Sequence, residues 1–567
     1  MSFNDVLRLG TSEAQSHLKL AKGEVNGSST SREVKTSKKE LITAPLFTLG
    51  ACESIGTEDR DDDEKKHSVQ YGLLGLRLHG VKSPSEQDNL VYANVSAPWS
   101  AFICGSQGSG KSHTLSCLLE NALIVPPPAG KLASPLAGLV MHYDKFTAFS
   151  STQLCEAAYL CSSGIPVRVL VSPTNYLVMK AAYEGLAGHS KMLTVEPLYL
   201  PQKDLNIGMM KSLMGVNNLT AQPLYIEVVM KILRGMAIAN QGRGGFDYAR
   251  FKLLLGAEPF IQGQMVPLNM RLQVLESFFE PGSVPGAAPA NILKNNTKGL
   301  SSFSPGTLTI IDLSCPFVGA EDACALFNIA LSLFLKGRHE AGRVIAMDEA
   351  HKFMESTSPE ALELTETLLS VVRQQRHLGS RVLIATQEPT LAPSLLELCN
   401  VTIIHRFSSP AWYRAIRSHI AGAGESDYEN PGSSRRGDVF HKIIRLDTGE
   451  ALVFCPTALL DVHNIDGDSN GRSSSDSFET LSPVYCANSP ALGITGSLSN
   501  DPYATVDTTT CVNKANLASN PGSLSITASS TRPILLPGRA LQLGPAYAHI
   551  RVRQRITVDG GRSVLQF

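Results

Sequence analysis

The chain has 567 residues, 43% of them hydrophobic and 18% charged, with a formal net charge of −1. That length suits one large domain or several ordinary ones, and the apolar content is that of a globular protein with a real core. The near-zero charge excludes a global pull towards nucleic acid or acidic lipid, so a nucleic-acid partner has to be met by local basic patches.

The 11 cysteines are scattered and form no CxxC pair, which argues against a thiolate metal site. Their odd number, with an N-terminus unlike a signal peptide, suits reduced thiols in a cytoplasmic or nuclear setting. No run of about 18 apolar residues occurs, so no membrane span is expected. Sequons such as those at Asn94 and Asn218 then carry no expected glycan.

Residues 1–68 read as a polar, largely disordered arm that ends in the charged run Glu58 to Lys66, a solvated loop. Two short apolar runs inside it, 41–43 and 45–49, suit isolated strands. The globular domain is expected over 69–456. Its strands are predicted at Trp99–Cys104, Ala137–Tyr143, Val167–Val171, Leu308–Leu313, Val344–Met347, Val382–Ala385, Val401–His405 and Ala451–Phe454. Most are continuous apolar runs, the pattern of strands buried on both faces of a parallel sheet. Helical patterns between them supply the crossovers, so the class is α/β.

Residues 203–300 interrupt the alternation with helical patterns at Tyr225–Ala239 and Leu268–Phe279 and a Gly-rich turn at Gly242, Gly244 and Gly245. They read as a helical insertion. A further helix is predicted with Ser358 as cap and Pro359 at its first position, ending at Gly379. Residues 457–530, rich in Ser, Asn and Thr, read as a disordered linker. Residues 531–567 form a tail whose segment His549 to Val558 alternates like an exposed strand.

The strand Trp99–Cys104 runs into Gly105-Ser106-Gln107-Gly108-Ser109-Gly110-Lys111-Ser112, a full G-x-x-x-x-G-K-[ST] phosphate loop. Its glycines let successive backbone N–H groups turn towards phosphate oxygens. Lys111 is placed to reach the terminal phosphates, Ser112 to give its hydroxyl to Mg²⁺, and the following helix adds its positive end. The expected ligand is MgATP.

Downstream, Val344 to Met347 leads directly into Asp348 and Glu349. A buried strand ending in Asp puts that carboxylate at the sheet edge where the metal sits, and Glu349 is the natural base for the attacking water. Asp144 and Asp312 also follow apolar strands but lack a second acid, so they rank below this pair. Val382 to Ala385 ends in Thr386 and Gln387. In P-loop ATPases with a strand inserted between the phosphate-loop and acidic strands, a polar residue at that tip contacts the terminal phosphate or the water, and Gln387 is the candidate. Arg373 and Arg376, three apart on the preceding helix, are either surface residues or the source of an arginine finger. His351 reads as structural.

Together these motifs resemble the HerA/FtsK superfamily of ring-forming ATPases, closest to HerA-like members, over 94–456. The resemblance is carried by Asn94 to Trp99 before the phosphate loop, Thr307 to Ser314, Asp348-Glu349-Ala350-His351, Arg376-His377-Leu378-Gly379, Ala385-Thr386-Gln387-Glu388-Pro389, Cys399-Asn400 before Ile403 to Phe407, and Thr448 to Ala451. It implies a RecA-like (ASCE) P-loop NTPase with a mainly parallel sheet flanked by helices. It also implies a homo-oligomeric ring and a trans-acting role for Arg376. Glu388 stands where the family usually has a basic or polar residue. Two functions follow as expectations: a ring motor that moves DNA, or a nucleotide-dependent switch or scaffold without translocation. The basic stretches available to DNA are Arg406 to Arg417 and Arg551 to Arg555.

Overall fold

Adjacent residues of the central strands part to opposite sides: Ala101, Val140, Val344 and Leu383 join one buried cluster, while Phe102, Met141, Ile345 and Ile384 join another. A sheet covered on both faces needs no polar alternation, and that is why these strands read as apolar runs. The computed structural model describes residues 40–51, 69–78, 86–127, 129–145, 153–186, 190–201, 205–214, 224–239, 241, 246–260, 262–279, 303–337, 342–354, 358–389, 391, 393–420, 438–464 and 538–557. All of them fall in one unit, 1–464 with 537–567; the other unit, 465–536, lies outside them. So do the charged run before residue 68, the Gly-rich turn near residue 242, and most of the expected linker.

In chain order the strands are β1 (Leu46–Thr48), β2 (Tyr71–Arg77), β3 (Leu90–Asn94), β4 (Ser100–Cys104), β5 (Gly130–Lys131), β6 (Ala137–His142), β7 (Val167–Val171) and β8 (Leu193–Pro197). They continue as β9 (Leu308–Asp312), β10 (Arg343–Asp348), β11 (Ser380–Thr386), β12 (Val401–Ile404), β13 (Glu450–Phe454), β14 (Leu459–Asn464), β15 (Gly538–Gln542) and β16 (Tyr547–Val552). They form one sheet in the order β15-β14-β1-β3-β2-β16-β13-β12-β4-β11-β10-β6-β9-β7-β8, with β5 on β2. From β12 to β8 every pair is parallel. From β13 the sheet continues as a wing whose neighbours are antiparallel, except for the parallel pair β1–β14.

The strand inserted between β4 and β10 is β11, paired with both. This is the RecA-like arrangement expected from the motifs, with the phosphate-loop strand and the acidic strand one strand apart.

On one face lies α1 (Lys111–Leu123), whose Leu115, Leu118, Leu119 and Leu123 are buried against the sheet, beside α2 (Tyr176–Leu186). On the other lie α3 (Ile207–Leu213), α4 (Leu224–Ala239), α5 (Tyr248–Gly256), α6 (Gln262–Ser277), α7 (Ala320–Lys336) and α8 (Pro359–Arg373). The helices α3 to α6 lie within the predicted insertion and add Met210, Val229, Phe251 and Leu268 to that face's core. Shorter helices follow: α9 (Gln375–Leu378), α10 (Pro393–Leu398), α11 (Pro410–Arg417) and α12 (Asp438–Arg445).

The structure differs from the sequence expectations in several places. Residues 41–43 are helical, and β1 is no isolated strand, since it joins β3 and β14. Asn94 is buried: its amide donates to the carbonyl oxygens of Ile42 and Ala44 at 3.1 and 2.9 Å, and its oxygen accepts from the Ser96 amide at 2.9 Å. The sheet runs past residue 456 through β14. The C-terminal strand is interior, with β16 lying between β13 and β2 and Ala548, Ile550 and Val552 buried. The helix capped by Ser358, which accepts from the Ala361 amide at 3.2 Å, breaks at Gln374 before α9, and Gly379 ends α9 with φ 59°. Arg373 and Arg376 therefore stand on two helices, not on one face of one helix.

Candidate nucleotide-binding and active site

The loop after β4 is held from below. His405, directly after β12, donates its amide to Cys104 O at 2.8 Å, and Arg406 O accepts both the Ser106 amide (2.9 Å) and the Ser106 hydroxyl (2.8 Å). The His405 ring is buried, with Nδ1 2.9 Å from Glu450 O and Nε2 2.9 Å from Thr114 Oγ1 on α1. A carbonyl only accepts, so Nδ1 carries the hydrogen and Nε2 accepts from the hydroxyl. Burial pushes this imidazole down to about 3, so it is neutral.

The floor explains two of the glycines. A Cβ on Gly105 would sit 2.7 Å from the His405 Cβ and the Ser109 Oγ. Gly110 begins α1 at φ 115°, a conformation that L side chains avoid, and its Cβ would come 3.2 Å from the Gly449 amide nitrogen. Gln107 and Gly108 are exposed at the crest, whereas Ser106, Gly110 and Ser112 are half-buried.

Lys111 is buried, and its ammonium donates to Ser106 O at 3.1 Å. Burial holds it below its usual range, while the nearby acids Glu349 and Asp348 pull the other way. The acidic pair therefore stands in the electrostatic reach of the phosphate-loop lysine.

Asp348 closes β10 and is buried. Burial raises its carboxyl, but the His142 ring, with Nδ1 3.4 Å from Oδ2, and then Lys111 outweigh this and keep it below the usual carboxylate range. Its other oxygen, Oδ1, is buried and has no hydrogen-bond partner among the described residues. An unpaired buried carboxylate oxygen is the kind of hard donor that suits a cation such as Mg²⁺.

Glu349 adopts φ 52°, unusual for a residue with a side chain. This turns it away from the strand path into contact with Gln387, whose amide nitrogen lies 3.1 and 3.3 Å from the two carboxylate oxygens. His351 Nδ1 lies 3.4 Å from the same carboxylate and accepts from the Gln387 amide at 3.4 Å. The base and sensor candidates are thus in contact, and His351, read from sequence as structural, stands between them.

The competing acids are engaged elsewhere. Asp144 accepts from Lys352 Nζ at 2.7 Å, and Asp312 accepts from the Tyr183 hydroxyl and the Ser314 amide. Arg376 is exposed on α9, which precedes β11, whereas Gln387 follows it. It is not brought together with the other candidates of its own chain.

His142, Cys155 and Asp348 also place one nitrogen, one sulfur and one oxygen within 4.8 Å of one another, all buried. Burial pushes the Cys155 thiol well up, and the carboxylates beside His142 hold its ring up to about 9 against the opposing effect of burial. A metal held by these two side chains would have to displace a proton from each.

The C-terminal segment after β16 clamps the back of α1. Arg553 pairs with Glu120 at 2.7 Å, donates to Cys117 O at 3.1 Å and to Asn121 Oδ1 at 3.0 Å, and its own carbonyl lies 2.7 Å from His113 Nε2. Arg555 pairs with Glu156 at 3.1 Å. His351 and His405 lie in segments that carry the family resemblance and Arg553 and Arg555 in a noted basic stretch, but none of these contacts could be read from the sequence, and His142 had no signal beyond its place at the end of an apolar strand. The described cysteines are all free, and no described helix is long and apolar enough to cross a membrane.

No family model and no curated protein matches the chain. Among solved structures it is similar to VirB4 of Thermoanaerobacter pseudethanolicus, with 11% identity, 68% of this chain and 93% of that chain covered, and a TM-score of 0.35. It is also similar to the genome packaging NTPase B204 from Sulfolobus turreted icosahedral virus 2 in complex with AMPPCP, with 16% identity, coverage of 27% and 64%, and a TM-score of 0.19. The DNA-packaging ATPase B204 from Sulfolobus turreted icosahedral virus aligns at 13% identity, coverage of 51% and 91%, and a TM-score of 0.18. With overlaps this loose, the fold rests on the chain's own strand order and loop geometry: it is the RecA-like α/β fold of the P-loop type, as the motifs led one to expect.

Proposed function

We propose that the chain binds ATP with magnesium at Gly105 to Ser112 and hydrolyses it. The observation that carries this reading is the meeting of the phosphate loop, the acidic pair and Gln387 at one sheet edge, with Gln387 in contact with Glu349. Backbone amides of the loop and Lys111 hold the phosphates, and Ser112 and Asp348 are the residues that would hold the metal. When bound, magnesium offsets the charge that develops on the phosphate oxygens. Glu349 accepts the proton of the attacking water as its oxygen bonds to the terminal phosphorus and ADP leaves. Gln387, donating to both Glu349 oxygens, fixes that carboxylate and reaches the same water.

A homo-oligomer in which Arg376 acts on a neighbour's nucleotide is supported by the exposure of Arg376 away from its own loop. DNA translocation has the weaker support. All three arginines of the basic stretch Arg551 to Arg555 are engaged in ion pairs within the chain, with Glu450, Glu120 and Glu156. That observation favours the second reading, a nucleotide-dependent switch or scaffold.

Glu349→Gln tests the chemistry. It should bind ATP as the parent does and lose turnover by about a hundredfold or more; normal hydrolysis would move the base elsewhere. Mixing it with Arg376→Ala subunits should restore some activity if the arginine acts in trans. Measuring the parent's rate with and without double-stranded DNA separates motor from switch.

A further inference from the structure

Three neighbouring strands end on ionisable residues at one register. Asp348 of β10 pairs with His142 of β6, and His142 with Asp312 of β9. Paired positions of adjacent strands present their side chains on one face of a sheet. The three therefore form a row across the C-terminal edge, and they are 3%, 0% and 0% exposed.

The His142 ring is fixed from behind. Its Nε2 lies 2.8 Å from Gln153 O, which can only accept, so that nitrogen is a donor. Nδ1 then faces Asp348 Oδ2 at 3.4 Å, an ion-pair approach without hydrogen-bond geometry. At the far end Asp312 is tied to the Tyr183 hydroxyl and the Ser314 amide. One oxygen of Asp348 is engaged, and the other is buried with no partner among the described residues.

We propose that His142 is a positioning residue for the magnesium carboxylate: it pins Asp348 by one oxygen and leaves the other for the metal. This deepens the reading of Asp348 as a magnesium ligand and rests on it. Outer partners of this kind typically contribute about 10–100-fold to metal affinity or activity.

Two substitutions separate the ring's two contacts. The amide of Gln reaches where Nε2 stands, and that of Asn reaches where Nδ1 stands. H142Q keeps the bond to Gln153 and loses the pin; H142N keeps the pin. At saturating ATP, H142Q should raise the Mg²⁺ concentration for half-maximal ATPase by about 10–100-fold, while its affinity for nucleotide in EDTA stays that of the parent. H142N should remain within about threefold of the parent. A parent-like H142Q, or an H142N as poor as H142Q, overturns the proposal. Should H142Q also lose nucleotide binding in EDTA, its fold has failed and H142N alone decides: a tenfold rise in its Mg²⁺ requirement (roughly the lower bound above) overturns the proposal. Asp348→Asn is the control for the underlying reading. If its Mg²⁺ dependence is unchanged, the magnesium assignment itself fails; if it loses Mg²⁺ dependence while H142Q does not, only the role of His142 fails.

Discussion

The parallel half of the sheet and its antiparallel wing share one core but are finished differently. From β12 to β7 the strands bury both faces under helices, and cohesion comes from apolar side chains on either side. From β13 outwards the strands still feed that core, through Leu74, Val91, Val453, Ala548 and Ile550, and a small separate group forms around Phe47, Tyr92 and Leu459. There the chain adds close backbone approach and charge. A Cβ on Gly75 would lie 2.2 Å from Arg551 O, and the wing's end is fastened to α1 through Arg553 and Glu120. The half that carries the chemistry is thus stable by burial on both faces, while the wing adds a few polar contacts to the burial at its junction.

If that division holds, substitutions in the two halves should separate function from stability. The largest effect is expected from Lys111→Ala, which should weaken ATP binding by about 100-fold, the loss of one buried charge-assisted contact to phosphate. Its unfolding midpoint in urea should move little. An unchanged affinity in a nucleotide titration would break the phosphate-loop assignment. Next is Arg553→Ala. It leaves the Glu120 carboxylate, whose side chain is 0% exposed, without its cation while Oε1 still accepts from the Ile556 and Thr557 amides, and should cost about 2 kcal/mol in chemical denaturation. A loss below about 1 kcal/mol would place the pair among surface ion pairs.

The smallest effect is a pH dependence at Glu450. Burial raises its carboxyl, but donation from Arg551 at 2.8 Å, the Asp447 amide at 3.3 Å and His549 at 3.2 Å outweighs this and holds it below the ordinary carboxylate range. A depressed carboxylate contributes stability above its unfolded value and loses it as pH falls through the folded one. Glu450→Gln should therefore flatten the acid side of the stability profile, by about 1 kcal/mol or less because Arg551 is largely exposed. Denaturation midpoints followed from neutral to acid pH would show it, and parallel profiles for the two proteins would remove Glu450 from the junction.

The same division explains what could be read in advance. The phosphate loop lies in one stretch of eight residues, and the strands around it announce themselves because burial on both faces strips them of polar residues. Val167–Val171 was located to the residue, and the others were placed within one or two. Of the wing strands, β2 is interrupted by Gly72 and Gly75, and β14 and β15 mix polar with apolar residues, so they lack that mark; β3, Leu-Val-Tyr-Ala-Asn, is apolar and mostly buried and was readable, yet was not among those predicted. The strand β8, Leu-Thr-Val-Glu-Pro, also escaped, because a sheet-edge strand keeps polar residues. Within the site, Asp348, Glu349 and Gln387 follow their strands directly and are legible. His142, Asp312 and Asp348 are far apart in the chain and become a row only once the register of β10, β6 and β9 is known. The left-handed backbone of Glu349 has no sequence mark, and the break at Gln374 comes without Gly or Pro.

The seat of β16 sets an order of events during synthesis. The wing strands β2 and β3 are made early, yet among the described residues the strand that joins them to β13 in the sheet ends at residue 552. At roughly 5–20 residues per second, translation from the end of β4 to the end of β16 takes on the order of 20–90 s. Over that interval β2 presents an open hydrogen-bonding edge. A ribosome that stalls before residue 547 would release a chain in which that edge is unpaired and available to other chains.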